Sequence, residues 1–103
     1  MTIAELNDAL RATFQGGRVV MTSGINSHPD RDQIIFDIHS YTGPWSEDND
    51  PYGEHDFGKV CVNGVDCFWK IDYYNQDFSG LSENPADPDI TQRVLTIMLA
   101  EEY

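Results

Sequence analysis

Basic residues are scarce in this sequence of 103 residues, which has six Lys and Arg against eighteen Asp and Glu. The resulting net charge of −12 repels nucleic acid and anionic membranes and favours basic partners or cations. We therefore expect neither direct nucleic-acid binding nor membrane binding. Acidity also promotes solubility without any binding role, so composition alone leaves both interpretations open.

Cysteines and long apolar runs are also scarce. The sequence has two cysteines, Cys61 and Cys67, and no apolar run of signal-peptide or membrane-spanning length. The two cysteines are predicted on opposite faces of a hairpin, where disulfide geometry is impossible. Two reduced thiols, with the acidic Glu5 and Asp8 near the N-terminus, predict a cytoplasmic protein.

Several motifs of enzymes and metal sites are missing. The sequence contains no Gly-rich phosphate loop, no serine nucleophile elbow and no Cys/His spacing suited to zinc. We therefore expect no cofactor, no metal and no catalytic residue in the preferred interpretation of this chain.

The segment 57–74, FGKVCVNGVDCFWKIDYY, predicts a β-hairpin. Asn63-Gly64 is the preferred pair for a type I′ turn, which places Val62 opposite Val65. Alternation then gives an apolar face that must be buried: Val60, Val62, Val65, Cys67, Trp69, Ile71 and Tyr73. The other face mixes charges with aromatics: Phe57, Lys59, Cys61, Asp66, Phe68, Lys70, Asp72 and Tyr74.

Elements flanking the hairpin follow from periodicity and capping signals. Residues 2–14 predict an amphipathic helix with capping-box spacing, and residues 18–25 predict a strand. Helix-start signals favour a helix over 28–41, although QIIFDI is also compatible with a strand. The segment 89–103 predicts a closing helix, because an Asp at its start can cap an apolar stripe.

These elements predict the fold class. The chain is long enough for one core, so we expect a single α+β domain over residues 1–103. We expect a small antiparallel sheet built on a central β-hairpin (57–74), with two or three packing helices.

The polar loop 46–56 carries the densest group of acids: Glu47, Asp48, Asp50, Glu54 and Asp56. Asp48, Asp50 and Gly53 match EF-hand positions, but Lys59 stands where that loop needs a bidentate Glu, so we reject an EF-hand. The acids could instead cap turns and hold the loop against Arg or Lys. They could also form a contact surface.

A metal-dependent enzyme is the alternative interpretation of this region. It would be centred on Glu54, His55, Asp56 and Asp72, whose oxygen and imidazole groups suit a divalent metal. His55 could act as a general base beside Asp72. A single His among carboxylates is, however, more often a hydrogen-bonded structural residue.

Aromatic residues accompany the acids. Trp45 and Tyr52 lie in or next to the loop, while Phe57, Phe68 and Tyr74 lie on the mixed face of the hairpin. They fit a protein-binding surface about as well as a second core layer under a helix. An acidic loop flanked by aromatics would present negative charge to a basic cleft, as a nucleic-acid backbone does.

The segments LNDALR, GGRVVMT, DNDPYGEHDFG, FWKIDYY and DPDITQRVLTIMLAEEY resemble a family of short, mainly proteobacterial proteins. That family is known only as a domain of unknown function, often carried on mobile elements alongside anti-restriction genes. The resemblance implies no enzymatic activity and identifies no catalytic residue. It favours an inhibitor of host defence.

We therefore expect a small acidic interaction protein of a mobile element, which inhibits a nucleic-acid-binding host defence complex of anti-CRISPR or anti-restriction type. Its partner would be a basic, nucleic-acid-binding protein or complex. The expected partner-binding residues are Trp45, Glu47, Asp48, Asp50, Tyr52, Glu54 and Asp56. The sequence leaves the partner's identity and the oligomeric state open.

Overall fold

The computed structural model describes all residues 1–103 and shows a four-stranded mixed sheet with three α-helices. The elements in chain order are α1 (Ile3–Thr13), β1 (Arg18–Met21), α2 (Ser23–Asn26), α3 (Arg31–His39), β2 (Phe57–Val62), β3 (Val65–Tyr74), β4 (Gln92–Leu99) and a 3₁₀ turn (Ala100–Glu102). The expected α+β class, with a hairpin and packing helices, is confirmed. None of the helices is long and apolar enough to cross a membrane.

The hairpin β2–β3 has the register predicted from its turn. Val62 pairs with Val65, and the pairing continues to Phe57 opposite Lys70. Asn63 and Gly64 have φ values of 51° and 80°, as a type I′ turn requires. Both cysteines are free, one exposed and one buried.

Strand order in the sheet is β1-β4-β3-β2. β4 pairs antiparallel with β3 and parallel with β1, so the three strands around the hairpin form the expected antiparallel unit. β1 is the one strand that makes the sheet mixed. The hairpin strand β3 and the C-terminal strand β4 are therefore the two central strands.

The predicted closing helix over 89–103 is wrong. Residues Gln92–Leu99 form β4, in which Arg93, Leu95 and Ile97 are buried on one side. Val94 and Ile97 fit a helical stripe, but in β4 they lie on opposite faces of the sheet, and as β-branched residues they also favour strands. Pairing with β1 and β3 makes this segment a strand, because the backbone N–H and C=O groups of both strands find their hydrogen-bond partners on β4.

The other flanking predictions hold with shorter bounds. α1 begins with the predicted capping box, in which the Glu5 backbone N–H donates to Thr2 Oγ1 at 3.1 Å. The predicted strand 18–25 ends at Met21, and α2 takes up residues Ser23–Asn26. The preferred helix over 28–41 is confirmed as α3.

The sheet has two unlike faces. The helix face carries the core, to which all three α-helices contribute buried residues such as Leu10, Ile25 and Ile38 around Trp69. The opposite side, named here the open face, is formed by residues whose register places them away from the helices: Arg18, Val20, Phe57, Lys59, Cys61, Asp66, Phe68, Lys70, Asp72, Tyr74, Gln92, Val94, Thr96 and Met98.

Candidate functional site

The acidic loop 46–56 lies against α1 and divides its acids into two groups. Glu47 and Asp48 are exposed, and Tyr52 on the same loop is 86% exposed. Asp50 is buried, and Glu54 and Asp56 are half-buried. The loop therefore has an exposed tip and an inward base.

The base of the loop is fixed by Asp50 and His55. The His55 backbone N–H donates to Asp50 Oδ1 at 3.0 Å, and His55 Nδ1 lies 3.0 Å from Asp8 Oδ1 on α1. The Trp45 ring stacks on the His55 imidazole with centroids 4.0 Å apart and planes 3° apart. These contacts give His55 a structural role and hold Trp45 half-buried.

A buried arginine lies beneath this stack. Arg11 donates to Asp8 Oδ1 at 2.9 Å and to the Tyr41 carbonyl at 2.8 Å. Its guanidinium lies 5.8 Å from the Trp45 ring centroid and 5.4 Å from that of Trp69. A cation held over aromatic faces in this way is stabilised by their quadrupoles. Arg11 is thus part of the core and contributes nothing to the exposed charge.

A cluster of polar side chains, named here the buried polar group, joins α1, the loop, β3 and β4. Asn7 Nδ2 donates to the Glu54 carbonyl at 3.0 Å and to Tyr73 Oη at 2.8 Å. Tyr73 Oη donates to Glu54 Oε2 at 3.0 Å. Arg93 Nε donates to Asn7 Oδ1 at 2.8 Å, and the same guanidinium also donates to the Pro85 carbonyl. Asn7, on α1, is therefore hydrogen-bonded to the loop, to β3 and to β4.

Burial sets the ionisation of this region. Burial, together with the nearby Glu54 carboxylate, raises the pKa of Asp56 to about 6. Burial also raises the pKa of the Tyr73 hydroxyl and lowers the pKa of the Arg93 guanidinium. The Asp56 carboxyl group thus binds a proton more readily than an exposed carboxyl group does.

The residues of the alternative enzyme site do not converge. Glu54, His55 and Asp56 are on the loop, whereas Asp72 is on the open face and lies 3.3 Å from Lys70 Nζ. No group of three or more His, Cys, Asp or Glu side chains is arranged to hold a metal ion.

The molecule has two shallow grooves, of about 430 and 440 Å³. One lies along residues 75–90 and the other beside the hairpin turn and residues 99–101, so neither is lined by the acidic loop. The buried polar group therefore has no substrate-sized cavity next to it.

Four polar residues of this site are not indicated by the sequence: the buried Asn7, Arg11 and Arg93, and the half-buried Asp8. Asn7 and Arg11 flank the fully buried Leu10 on α1, one turn apart. Two polar residues on the buried side of an amphipathic helix are a signal that a polar partner lies opposite. Arg93 lies in a segment whose sequence predicts a helix, so its position beside Asn7 is not evident from the sequence.

No curated protein and no solved structure matches this chain. A family model described as "Protein of unknown function (DUF3768)" matches residues 21–102, which includes the acidic loop and all of β2, β3 and β4. The match confirms the resemblance to a domain of unknown function, while the association with mobile elements stays a prediction. The chain belongs to the DUF3768 family of proteins of unknown function.

Proposed function

We propose that this protein is a small acidic interaction protein of a mobile element. It inhibits a nucleic-acid-binding host defence complex, of anti-CRISPR or anti-restriction type, by binding the basic surface of that complex. One observation carries the proposal, namely the one-sided distribution of charge over the surface.

Basic groups are almost absent from the helix-and-loop side of the molecule. Arg11 and Arg93 are buried, at 6% and 3% exposure. The open face holds Arg18, Lys59 and Lys70. Of the six basic residues, Arg31 alone is exposed on the helix-and-loop side. A surface with this imbalance attracts a basic cleft over a long range and competes with a polyanion for it.

The loop tip supplies the proposed direct contacts. Glu47 and Asp48 are exposed on the same loop as Tyr52, whose ring can provide a large contact area with little loss of conformational entropy. Asp50 holds the base of the loop through its bond with His55, and Asp50, Glu54 and Asp56 add to the negative field of the tip. Trp45 supports the tip through its stack on His55.

Charge reversal at the tip tests the proposal. In Glu47→Lys/Asp48→Lys, binding to a basic, nucleic-acid-handling defence complex should fall by about tenfold or more, which corresponds to about 1.4 kcal/mol. The measurement is competition with the guide or target nucleic acid of the complex, at low and at moderately high salt. Binding of the unmodified protein should weaken with salt, because the attraction acts through screened charges.

A matched control separates position from net charge. Glu83→Lys/Glu101→Lys changes the charge by the same amount at two exposed residues that donate or accept no side-chain hydrogen bond. This control should retain binding. Equal loss in both double variants, or no displacement of nucleic acid from any such complex, would leave the acidity as a solubility feature only.

A further inference from the structure

The open face is a sheet surface that no α-helix covers. All the buried apolar residues of α1, α2 and α3 belong to the core cluster on the other side. Strand register brings Phe68 beside Met98, Lys70 beside Thr96 and Thr96 beside Val20. The open face is therefore one continuous surface across all four strands.

The open face carries apolar and aromatic side chains among its charged residues. Met98 lies on the open face and is only 4% exposed. It is the one buried apolar residue that does not belong to the core cluster. Phe57 and Phe68 pack on each other at 5.2 Å, and the Tyr103 ring lies 5.4 Å from Phe68. Val20 is 47% exposed at the edge strand. A sheet face of this kind is usually packed against another layer.

Charge on the open face is balanced, unlike that of the rest of the chain. Three positive groups, Arg18, Lys59 and Lys70, accompany two negative groups, Asp66 and Asp72. The open face carries a net charge of +1. Since the whole chain carries −12, the rest of the protein carries −13. Both signs alternate along the hairpin, where Lys59 lies 3.9 Å from Asp66 and Lys70 lies 3.3 Å from Asp72.

We propose that the open face is the contact surface of a homodimer, in which a second copy of this chain packs sheet to sheet across a twofold axis. Two copies that met through any other side would bring strongly acidic surfaces together, and like charges in contact oppose association. At the open face each copy offers lysines to the other copy's aspartates, which a self-complementary twofold contact requires. This inference does not rest on the proposed function.

The size of the face sets the expected strength. Four strands about 4.8 Å apart, with about seven residues each on average at about 3.3 Å per residue, give roughly 440 Å² of flat sheet. A standard interface buries about 800 Å² per partner. Phe78 and Tyr103, at the two ends of the face, extend it towards that value. The dimer should therefore be reversible, with a Kd in the micromolar range.

Sedimentation equilibrium over a concentration series tests the dimer. The unmodified chain should pass from monomer at low micromolar concentration to dimer at several hundred micromolar. Val20→Lys should raise the dimer Kd about tenfold or more, although it lowers the net negative charge and so weakens general repulsion. Phe36→Lys makes the same kind of change at an exposed residue of α3, 62% exposed, and should leave the Kd unchanged.

A second pair of variants tests the charge argument. Lys70→Glu should weaken the dimer, whereas Arg31→Glu, an equal reversal on the helix side, should not. Circular dichroism verifies that each variant is folded. If Lys70→Glu does not fold, Val20→Lys still tests the proposal. A chain that is monomeric at all concentrations would overturn the proposal. So would a dimer that survives both open-face variants, because its contact would lie elsewhere.

Discussion

Asp56 is the residue whose environment most alters its chemistry. Its carboxyl group is half-buried just before β2, close to the Glu54 carboxyl group and to the half-buried Tyr73. Burial and the Glu54 charge both disfavour the ionised form, which raises the pKa of Asp56 from 3.8 to about 6. At neutral pH the Asp56 carboxyl group of the folded protein is therefore ionised, although its surroundings favour the protonated form.

The sign of the resulting pH dependence follows from proton binding. Between about pH 4 and about pH 6 the folded state keeps a proton on Asp56 that the unfolded state has lost. The contribution of Asp56 to stability is therefore greatest below about pH 4 and falls as the pH rises through about 6.

Replacing Asp56 with Asn tests this account. Asp56→Asn should raise the free energy of unfolding at neutral pH, because the amide is uncharged and can donate to Glu54 as a protonated carboxyl would. It should also flatten the fall in stability between about pH 4 and about pH 6. Urea unfolding across this range measures both effects. Asp48→Asn, at the exposed loop tip, should leave the slope unchanged, and an equal slope in both variants would contradict the account.

Among the elements, the β2–β3 hairpin is the one whose geometry is set by two adjacent residues. Asn63 and Gly64 both adopt positive φ, and a Cβ on Gly64 would meet nothing within 4 Å. The cost of a substitution at Gly64 therefore comes from backbone strain alone.

Gly64→Val should destabilise the protein by about 1 kcal/mol or more, since a β-branched residue resists φ > 0. Gly64→Asn should cost clearly less, because Asn tolerates the left-handed region. Thermal or urea unfolding of both variants gives the comparison. Equal stability of the Val and Asn variants would show that the turn conformation does not limit stability.

At the scale of the whole molecule, the net charge of −12 acts against the compact state. The molecule extends 38 × 28 × 22 Å. At about 0.01 M ionic strength the Debye length is about 30 Å, so repulsion acts across the whole molecule, whereas at about 0.1 M it is about 10 Å.

Added salt should therefore raise the Tm over this range of ionic strength. NaCl and KCl should act alike, and MgCl₂ or CaCl₂ at matched ionic strength should add little, because no set of metal ligands converges. Differential scanning calorimetry of dilute protein gives the comparison. A fall in Tm with salt would contradict the repulsion argument, and a large extra rise with one divalent cation would indicate a specific site.

Local signals in the sequence determined the parts of the fold that depend on neighbouring residues. Asn63-Gly64 fixed the hairpin register, because a type I′ turn admits only one pairing of the strands it joins. Thr2 and Glu5 fixed the start of α1, since both partners of the capping box are within one turn.

Only the tertiary structure decided the rest. The segment Gln92–Leu99 is compatible with two periods, and pairing with β1 and β3, both distant in the sequence, made it a strand. The base of the acidic loop is likewise held by contacts of Asn7 with the Glu54 carbonyl and of Asp8 with His55, which join residues more than 40 positions apart. Such contacts leave little trace in a single sequence, because each polar group is satisfied by a partner that local periodicity does not specify.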